Sequence, residues 1–202
     1  MEALKIGLLG AGTVGTQVAR IIADEADELE QRVGRRLELV GVGVRDLDKE
    51  RPGLDPDVLT TDLESVVDRA DLVVEVMGGP EPAGALVRRA LERGSSVVTA
   101  NKALLGERLI ELSDLADEHD ADLYFEAAVA GAIPIIRPLR ESLVGDEVTS
   151  VIGIVNGTTN YILDRMVSDG STFDDALAQA QYLGYAEADP TADVEGDDAA
   201  SK

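Results

Sequence analysis

Residues 4–15 read LKIGLLGAGTVG, and this stretch decides the fold. The apolar run 4–9 is typical of a buried strand, and a helical pattern of apolar residues starts at Thr13. Three glycines mark the turn between these elements: Gly10, Gly12 and Gly15. In a strand–turn–helix unit, the first permits the tight turn, the second lets the backbone approach a pyrophosphate, and the third lets the helix pack on the strand. The stretch therefore predicts dinucleotide binding, with a purely structural glycine turn as the alternative.

The rest of the first 132 residues alternates between apolar runs and helical patterns. Further strands are predicted at 37–44, 72–77, 97–100 and 123–129. Helices are predicted between them at 62–69, 83–93 and 106–119. This alternation favours a parallel sheet with helices on both faces. We therefore expect a Rossmann-type, doubly wound α/β domain over residues 1–132.

Residues 133–202 carry a different pattern. It predicts a helix at 133–143 with Pro134 in its first turn, a strand at 148–155, and helices at about 156–167 and 172–182. One strand with two or three helices cannot close a sheet. We expect residues 133–202 to begin a partial α/β (α+β) substrate and dimerisation domain, truncated here or completed by a partner.

The net charge of −22 comes from 40 acidic and 18 basic residues. Such a chain repels phosphate groups, so we do not expect it to bind nucleic acid. Disorder is also disfavoured, because 45% of the residues are hydrophobic and they fall in well-spaced blocks. Aspartate supplies 22 of the acids and lysine only four of the bases, which suggests a salt-loving host whose cytoplasm screens the repulsion.

Cysteine is absent, and His119 is the one histidine. Disulfides, thiolate nucleophiles, Cys-based zinc sites and histidine-rich metal sites are thereby excluded. No apolar run approaches the length of a membrane span, and the first residues lack the pattern of a secretory signal. These features predict a cytoplasmic protein with no membrane partner.

The residues after the second predicted strand bear on the choice of cofactor. There a carboxylate would hold the ribose 2′-hydroxyl of NAD(H), and a cation would accept the 2′-phosphate of NADP(H). Arg45 comes first, Asp46 follows, and Lys49 and Arg51 are close in sequence. We expect a preference for NADP(H), with NAD(H) left open by Asp46 and a solvated charged loop as the alternative interpretation.

Two further stretches follow predicted strands at the same edge of the sheet. Gly78, in the sequence Met-Gly-Gly-Pro after the strand at 72–77, could let a cofactor lie against the backbone, or could simply end the strand. Lys102 closes the sequence VTANK and could bind a carbonyl or carboxylate group or transfer a proton. An exposed lysine at the start of a helix is the alternative.

Five blocks of sequence resemble one known family. They are GLLGAGTVG at 7–15, TANK at 99–102, FEAAVAGAIPII at 125–136, GIVNGTTNYIL at 153–163 and LGYAEADPTADVEGDDAASK at 183–202. Together they make the chain similar to homoserine dehydrogenases along its whole length. The resemblance implies hydride transfer between a nicotinamide cofactor and L-homoserine or L-aspartate 4-semialdehyde, in threonine and methionine biosynthesis. It also implies a homodimer.

The resemblance implies a role for individual residues of the cofactor and cation sites. Thr13, Val14 and Gly15 would touch the cofactor phosphates, Arg45 the 2′-phosphate, Lys102 the cofactor and substrate, and Gly184 the nicotinamide. A monovalent cation, usually sodium, would be held by Glu126, Val129, Gly131 and Ile133. Carboxylate and carbonyl oxygens suit a hard cation, although a strand-to-helix corner would use the same small residues.

The terminal block would hold the substrate. By the resemblance, Glu187 and Asp198 would bind the substrate amino group, Asp193 is a further acid of the motif, and Lys202 would donate a proton to the carbonyl oxygen. Asp198 and Lys202 are four residues apart, so a helix would place them on one face. The same spacing also suits an ordinary surface ion pair.

Two other functions stay open. A chain with an incomplete substrate domain could be a non-catalytic NADP(H)-binding module, which an absence of turnover would reveal. A reductase of another amino-acid semialdehyde on the same fold would need different groups in residues 184–202.

Overall fold

The computed structural model describes residues 2–202, which form two compact units. The first ends at Ala132, and the second runs Ile133–Lys202. Within residues 2–202, no helix combines the length and the apolar character that crossing a membrane requires.

The first unit is built on a six-stranded sheet in which every pairing is parallel. Its strands are β1 (Leu4–Leu9), β2 (Leu37–Gly43), β3 (Leu59–Thr60), β4 (Leu72–Glu75), β5 (Ser96–Thr99) and β6 (Leu123–Tyr124). Their order in space is β3-β2-β1-β4-β5-β6. The chain moves outward in one direction from β1 and then in the other from β4, so the switch point lies between these two strands. The predicted Rossmann-type doubly wound fold is confirmed.

Five helices connect these strands. They are α1 (Thr13–Asp24), α2 (Ala26–Val33), α3 (Leu63–Asp68), α4 (Ala83–Glu92) and α5 (Lys102–Glu118). Alternate residues of β1 enter different cores, as the two-residue period of a strand requires. Leu8 packs in the cluster with Ala19 of α1, whereas Leu9 packs with residues of α3, α4 and α5 such as Val66. Both faces of the sheet are therefore covered.

The boundary of α5 differs from the prediction of a helix at 106–119. The helix begins at Lys102, because the Asn101 side chain accepts a hydrogen bond of 3.1 Å from the Leu104 backbone N–H. Asparagine is a favourable N-cap, and this capping starts the helix four residues early. Arg108 has a non-helical backbone conformation and kinks the helix inside the predicted range.

Two predicted strands are shorter than expected. The strand at 72–77 ends at Glu75, and the strand at 123–129 ends at Tyr124, followed by a 3₁₀ turn at Glu126–Ala128. Ala130 and Gly131 then adopt left-handed backbone angles, with φ of 57° and 59°. Left-handed residues cannot continue a strand, so no strand extends through residues 130–131.

The second unit is helical. It contains α6 (Gly157–Ser168), α7 (Phe173–Tyr182), α8 (Thr191–Val194) and α9 (Asp197–Ala200). Ile162 of α6 packs against Ala176 and Ala180 of α7. Side chains of Asn156 and Thr172 cap the two longer helices, so their predicted starts are confirmed.

One prediction for this unit holds only in part and another is wrong. The helix predicted at 133–143 is shorter: residues 136–137 are helical and continue as a wide, π-type turn at Pro138–Ser142, with Pro134 before them. Pro138 lies in the first turn of this segment, where its missing N–H costs no helical hydrogen bond. The strand at 148–155 does not form, since a lone strand has no neighbour for its backbone groups. Its apolar side chains are exposed instead, with Ile152 at 96%.

Candidate functional site

The glycine turn after β1 is shaped by backbone crowding. Gly10 has a φ of +100°, and a Cβ added there would lie 2.9 Å from the carbonyl oxygen of Val76. A Cβ added at Gly15 would lie 2.0 Å from the carbonyl oxygen of Gly10. Real Cβ contacts essentially never fall below 3.0 Å, so both positions require glycine in this backbone.

Gly12 differs from its two neighbours in the motif. An added Cβ there meets no atom within 4 Å, and Gly12 lines an open cleft. It is also the N-cap of α1, and no side chain caps this helix. The first-turn N–H groups of an uncapped helix are free to bind an anion, and the helix dipole favours negative charge there. The space at Gly12 is therefore suited to a phosphate group.

The cleft has a volume of about 440 Å³ and lies at the carboxyl ends of β1, β2 and β4. Open α/β sheets bind ligands at this switch point. Its lining includes four of the residues predicted to bind the cofactor: Gly10, Gly12, Arg45 and Gly78. Thr13, Val14 and Gly15 form the adjoining first turn of α1.

The loop after β2 contributes cationic side chains to the cleft. Arg45, Lys49 and Arg51 line it together with Asp46. The Arg51 guanidinium donates to the carbonyl oxygens of Asp46 at 2.9 Å and Lys49 at 2.8 Å. It also donates to the Ala11 carbonyl at 3.3 Å, so it ties the loop after β2 to the glycine turn. The sequence placed Arg51 near the cofactor but gave no sign of this structural role.

Lys102 is not among the residues that line the cleft. It is the first residue of α5, next to Asn101, whose side-chain amide donates a 2.6 Å hydrogen bond to the carbonyl oxygen of Gly79. Gly78 and Gly79 form a turn with φ values of 77° at both positions. The start of α5 and the wall of the cleft are thus joined by one hydrogen bond.

The predicted cation ligands lie around the end of the first unit. Glu126 begins the 3₁₀ turn, Val129 follows it in an extended conformation, and Gly131 is left-handed. Ile133 opens the second unit and is 66% exposed. Among residues 2–202, no group of three or more His, Cys, Asp and Glu side chains is arranged to hold a metal. That finding does not bear on the predicted set, which has a single carboxylate.

Three residues of the terminal block meet in the second unit. The Lys202 Nζ lies 2.8 Å from Asp198 Oδ2, and both side chains are largely shielded, at 26% and 14% exposure. Lys202 also donates to the carbonyl oxygen of Val155. Asp193 and Asp198 are bridged by the side-chain amide of Asn156, at 2.7 and 2.6 Å. A depression of about 530 Å³ opens over this group of residues.

Asn156 was missed by the sequence reasoning, which treated it only as the start of a helix. Its Oδ1 accepts from the Thr159 N–H at 2.8 Å and from the Thr159 hydroxyl at 2.9 Å. Its Nδ2 holds the two carboxylates, and the residue is 7% exposed. An asparagine N-cap does not by itself indicate the partners of its amide, since those come from residues about forty positions later.

Glu187 and Gly184 do not line this depression. They lie in the loop after α7, where Gln181 donates to the Glu187 carbonyl at 3.1 Å. Asp189, in the same loop, accepts from the hydroxyl of Thr191 at 2.6 Å and from its N–H at 3.1 Å. These hydrogen bonds, the hydroxyl first, lower the pKa of Asp189 below its ordinary value.

Two family models match this chain, one within each of its two units. The NAD binding domain of homoserine dehydrogenase matches residues 10–126, which is more than half of the chain. The homoserine dehydrogenase family matches residues 134–202.

Curated relatives are similar along the whole chain. A homoserine dehydrogenase of Corynebacterium glutamicum is 56% identical over 203 residues, covering 100% of this chain and 46% of that protein. One of Mycobacterium tuberculosis is 57% identical over 199 residues, covering 98% and 45%. The chain thus spans about half the length of the curated relatives it matches.

Solved structures of homoserine dehydrogenases are also similar along nearly the whole chain. A homoserine dehydrogenase from Thiobacillus denitrificans superposes with a TM-score of 0.86 at 47% identity, covering 100% of this chain and 47% of the other. A hyperthermophilic archaeal homoserine dehydrogenase in complex with NADPH superposes with a TM-score of 0.77 at 31% identity, covering 99% and 67%. The glycine-lined cleft, the two family matches and these likenesses agree: the chain belongs to the homoserine dehydrogenase family.

Proposed function

We propose that this chain carries the cofactor site and part of the substrate site of an enzyme that transfers hydride between NADP(H) and L-homoserine or L-aspartate 4-semialdehyde. One observation carries the proposal: the cleft at the switch point combines an uncapped helix start, an open Gly12 and cationic side chains of the loop after β2. These are the groups that a pyrophosphate and a 2′-phosphate would need.

The preference for NADP(H) over NAD(H) rests on charge. Arg45, Lys49 and Arg51 line the cleft in a chain whose net charge is −22. Arg51 uses its Nε and Nη1 donors to hold three backbone carbonyls in place, so Arg45 is the side chain we assign to the 2′-phosphate. Asp46 also lines the cleft and would favour the 2′-hydroxyl of NAD(H). The archaeal relative that was solved with NADPH supports the phosphate-bearing cofactor.

The substrate end rests on the acidic group of the second unit. The substrate carries an α-ammonium group, which carboxylates bind well. Asp193 and Asp198 face one depression and are held in place by Asn156. We assign the substrate ammonium group to Asp198 and Glu187, with Asp193 as a further acid of the site, although Glu187 lies in the loop after α7 and does not line the depression.

The transferred proton is assigned to lysine. Lys202 is largely shielded beside Asp198, and we assign it the proton given to the carbonyl oxygen. Lys102 would orient the substrate or share that proton, and Gly184 would approach the nicotinamide. The bound nicotinamide supplies the hydride itself.

The proposal includes a monovalent cation site at the end of the first unit. The Glu126 carboxylate and the carbonyl oxygens of Val129, Gly131 and Ile133 are hard ligands of the type that sodium accepts. The left-handed turn at residues 130–131 supports it, because such a turn redirects successive carbonyl groups. Replacing sodium by a bulky organic cation should then lower the thermal unfolding midpoint, and Glu126→Gln should abolish that response.

A homodimer is also proposed. The apolar residues that were expected to form a strand at 148–155 are exposed, with Val151 at 71% and Ile154 at 76%. Exposed apolar surface of this kind marks an interaction site. Sedimentation equilibrium in molar salt tests the dimer, and a monomer at all concentrations would contradict it.

The proposed activity is tested by following NADP⁺ reduction by L-homoserine at the NADPH absorbance, in molar KCl, with NAD⁺ run in parallel. Turnover that requires homoserine and is faster with NADP⁺ supports the proposal. Lys202→Ala should then reduce turnover far more than cofactor affinity, and equal losses in both would contradict its chemical role. Turnover with a different hydroxy amino acid in place of homoserine would instead indicate another semialdehyde reductase.

A non-catalytic NADP(H)-binding module is the second candidate. The observation that favours it is that the cofactor cleft is lined entirely by residues of the first unit. Folded protein that binds NADPH but shows no turnover would establish this second function.

A further inference from the structure

Glu75, the last residue of β4, is the only charged side chain among residues 2–202 that is fully buried, at 0% exposure. Burying a carboxylate is costly unless its oxygens are well hydrogen-bonded. The proposed chemistry assigns no role to this residue. Its partners therefore show what the burial achieves.

The Glu75 carboxylate joins the end of β4 to the end of β5. Its Oε1 accepts from the backbone N–H of Met77 at 2.7 Å, where the chain leaves the sheet toward the cleft. Its Oε2 accepts from the Thr99 hydroxyl at 2.6 Å. The Asn101 amide lies 3.4 Å from Oε1, a longer contact.

The network continues from β5 into α5 and back to the cleft wall. Thr99 Oγ1 accepts from the Asn101 N–H at 3.0 Å. The Asn101 side chain then caps α5 through the Leu104 N–H and donates to the Gly79 carbonyl at 2.6 Å. One buried carboxylate thus connects the turn 77–79 with the start of the helix that carries Lys102.

We propose that Glu75 is a positioning residue, which fixes the turn 77–79 against the start of α5 and thereby sets the cleft wall for the cofactor. Met77 and Gly78 line that wall. The effect of Glu75 on cofactor binding rests on the proposed function, whereas its role in fixing the turn 77–79 does not.

A carboxylate suits this position because both of its oxygens accept. Met77 presents an N–H and Thr99 presents a hydroxyl proton, and each is accepted by one oxygen of Glu75. In Glu75→Gln only one oxygen remains, so it can serve only one of these two donors. If the amide faces Met77, the Met77 N–H loses its acceptor; if it faces Thr99, Thr99 Oγ1 can accept from it beside Asn101, but the Thr99 hydroxyl proton loses its acceptor. Either way one buried donor is left unsatisfied, and the turn loosens although the side chain keeps its size.

The test compares Glu75→Gln with Val73→Ala in the whole 202-residue chain. Val73 lies two residues earlier on the same strand and is fully buried, but it belongs to the apolar core and not to this network. The Val73 change lowers stability by leaving a small cavity. It is therefore the matched control for a purely structural loss.

Two readouts are measured on both variants. Amide hydrogen exchange should rise about tenfold or more at Met77, Asn101 and Leu104 in Glu75→Gln, in excess of any rise across the core, and should show no such local excess in Val73→Ala. The dissociation constant for NADPH, followed by its fluorescence, should rise about tenfold in Glu75→Gln and stay unchanged in Val73→Ala.

Equal local exchange in the two variants would overturn the positioning role. Faster local exchange in Glu75→Gln with an unchanged NADPH affinity would overturn its link to the cofactor. If the unmodified chain does not bind NADPH, the proposed function fails, while the exchange data still decide whether Glu75 holds the turn.

Discussion

Replacing Gly12 and Gly15 by alanine, one at a time, should separate binding from folding within a single motif. A Cβ at Gly15 would lie 2.0 Å from a backbone oxygen, so about 1 Å of displacement is needed to reach the 3.0 Å limit. Overpacking costs about 1–3 kcal/mol, and a clash between backbone groups falls at the upper end. Alanine regains about 1 kcal/mol of helix propensity. The expected net loss for Gly15→Ala is about 2 kcal/mol.

Gly12→Ala should behave in the opposite way. Its φ of −83° suits alanine, and the new Cβ meets no protein atom within 4 Å. Alanine is a poorer N-cap than glycine by about 0.5 kcal/mol, which sets the expected loss of stability. The methyl group would stand in the space assigned to the pyrophosphate, so NADPH affinity should fall at least about tenfold.

Urea unfolding followed by circular dichroism in molar KCl measures the stability, and NADPH fluorescence measures the affinity. Gly12→Ala should unfold close to the unmodified chain and bind poorly. A Gly12→Ala chain that binds NADPH normally would refute the assignment of this space to a phosphate. A Gly12→Ala chain that loses as much stability as Gly15→Ala would refute the steric reasoning.

Three further predictions concern charge. Arg45→Ala should weaken NADPH binding about tenfold and leave NADH binding unchanged. Arg36→Ala, a surface change away from the cleft, should leave the binding of both cofactors unchanged. An equal loss of affinity for both cofactors in Arg45→Ala would contradict the assignment of this residue to the 2′-phosphate. Asn156→Asp keeps an N-cap but adds a third carboxylate beside Asp193 and Asp198, which raises the pKa of the new group in the fold. Its urea midpoint should therefore approach that of the unmodified chain below about pH 4 and fall behind it as the pH rises, and a constant gap would contradict this. Raising KCl from about 0.1 M to about 1 M should raise the thermal midpoint, because it shortens the screening length of a chain with net charge −22; a midpoint insensitive to KCl would argue against adaptation to salt.

The sequence predicted the first unit well because its signals are local. The apolar run 4–9, the glycines and the alternating helices are each visible in a window of about a dozen residues. The placement of Gly12 and Arg45 at one cleft then follows from parallel topology, since carboxyl ends of parallel strands share an edge.

Local sequence patterns predicted the second unit less well. The apolar alternation at 148–155 satisfies the local signal for a strand, but a strand also needs a neighbour, which no local pattern supplies. The helix expected at 133–143, with Pro134 in its first turn, starts only at Ile136 and continues as the wider π-type turn from Pro138.

Long-range polar contacts were equally hidden. Glu75 was a charged residue inside an apolar run, and its side-chain partners Thr99 and Asn101 come from more than twenty residues later. Asn156 was recognised as the start of a helix, yet its amide partners lie at Asp193 and Asp198. Networks of this kind depend on which segments the fold brings together, so only the structure reveals them.

The glycine-lined cleft of the first unit is proposed to hold a nicotinamide cofactor, and amide hydrogen exchange of the whole chain, with and without saturating NADPH in molar KCl, is the deciding measurement. Bound NADPH should slow exchange at residues 10–16, 43–51 and 76–79 and leave the strand interiors unchanged. Protection confined to other residues, or none at all in folded protein, would show that the cofactor does not occupy this cleft.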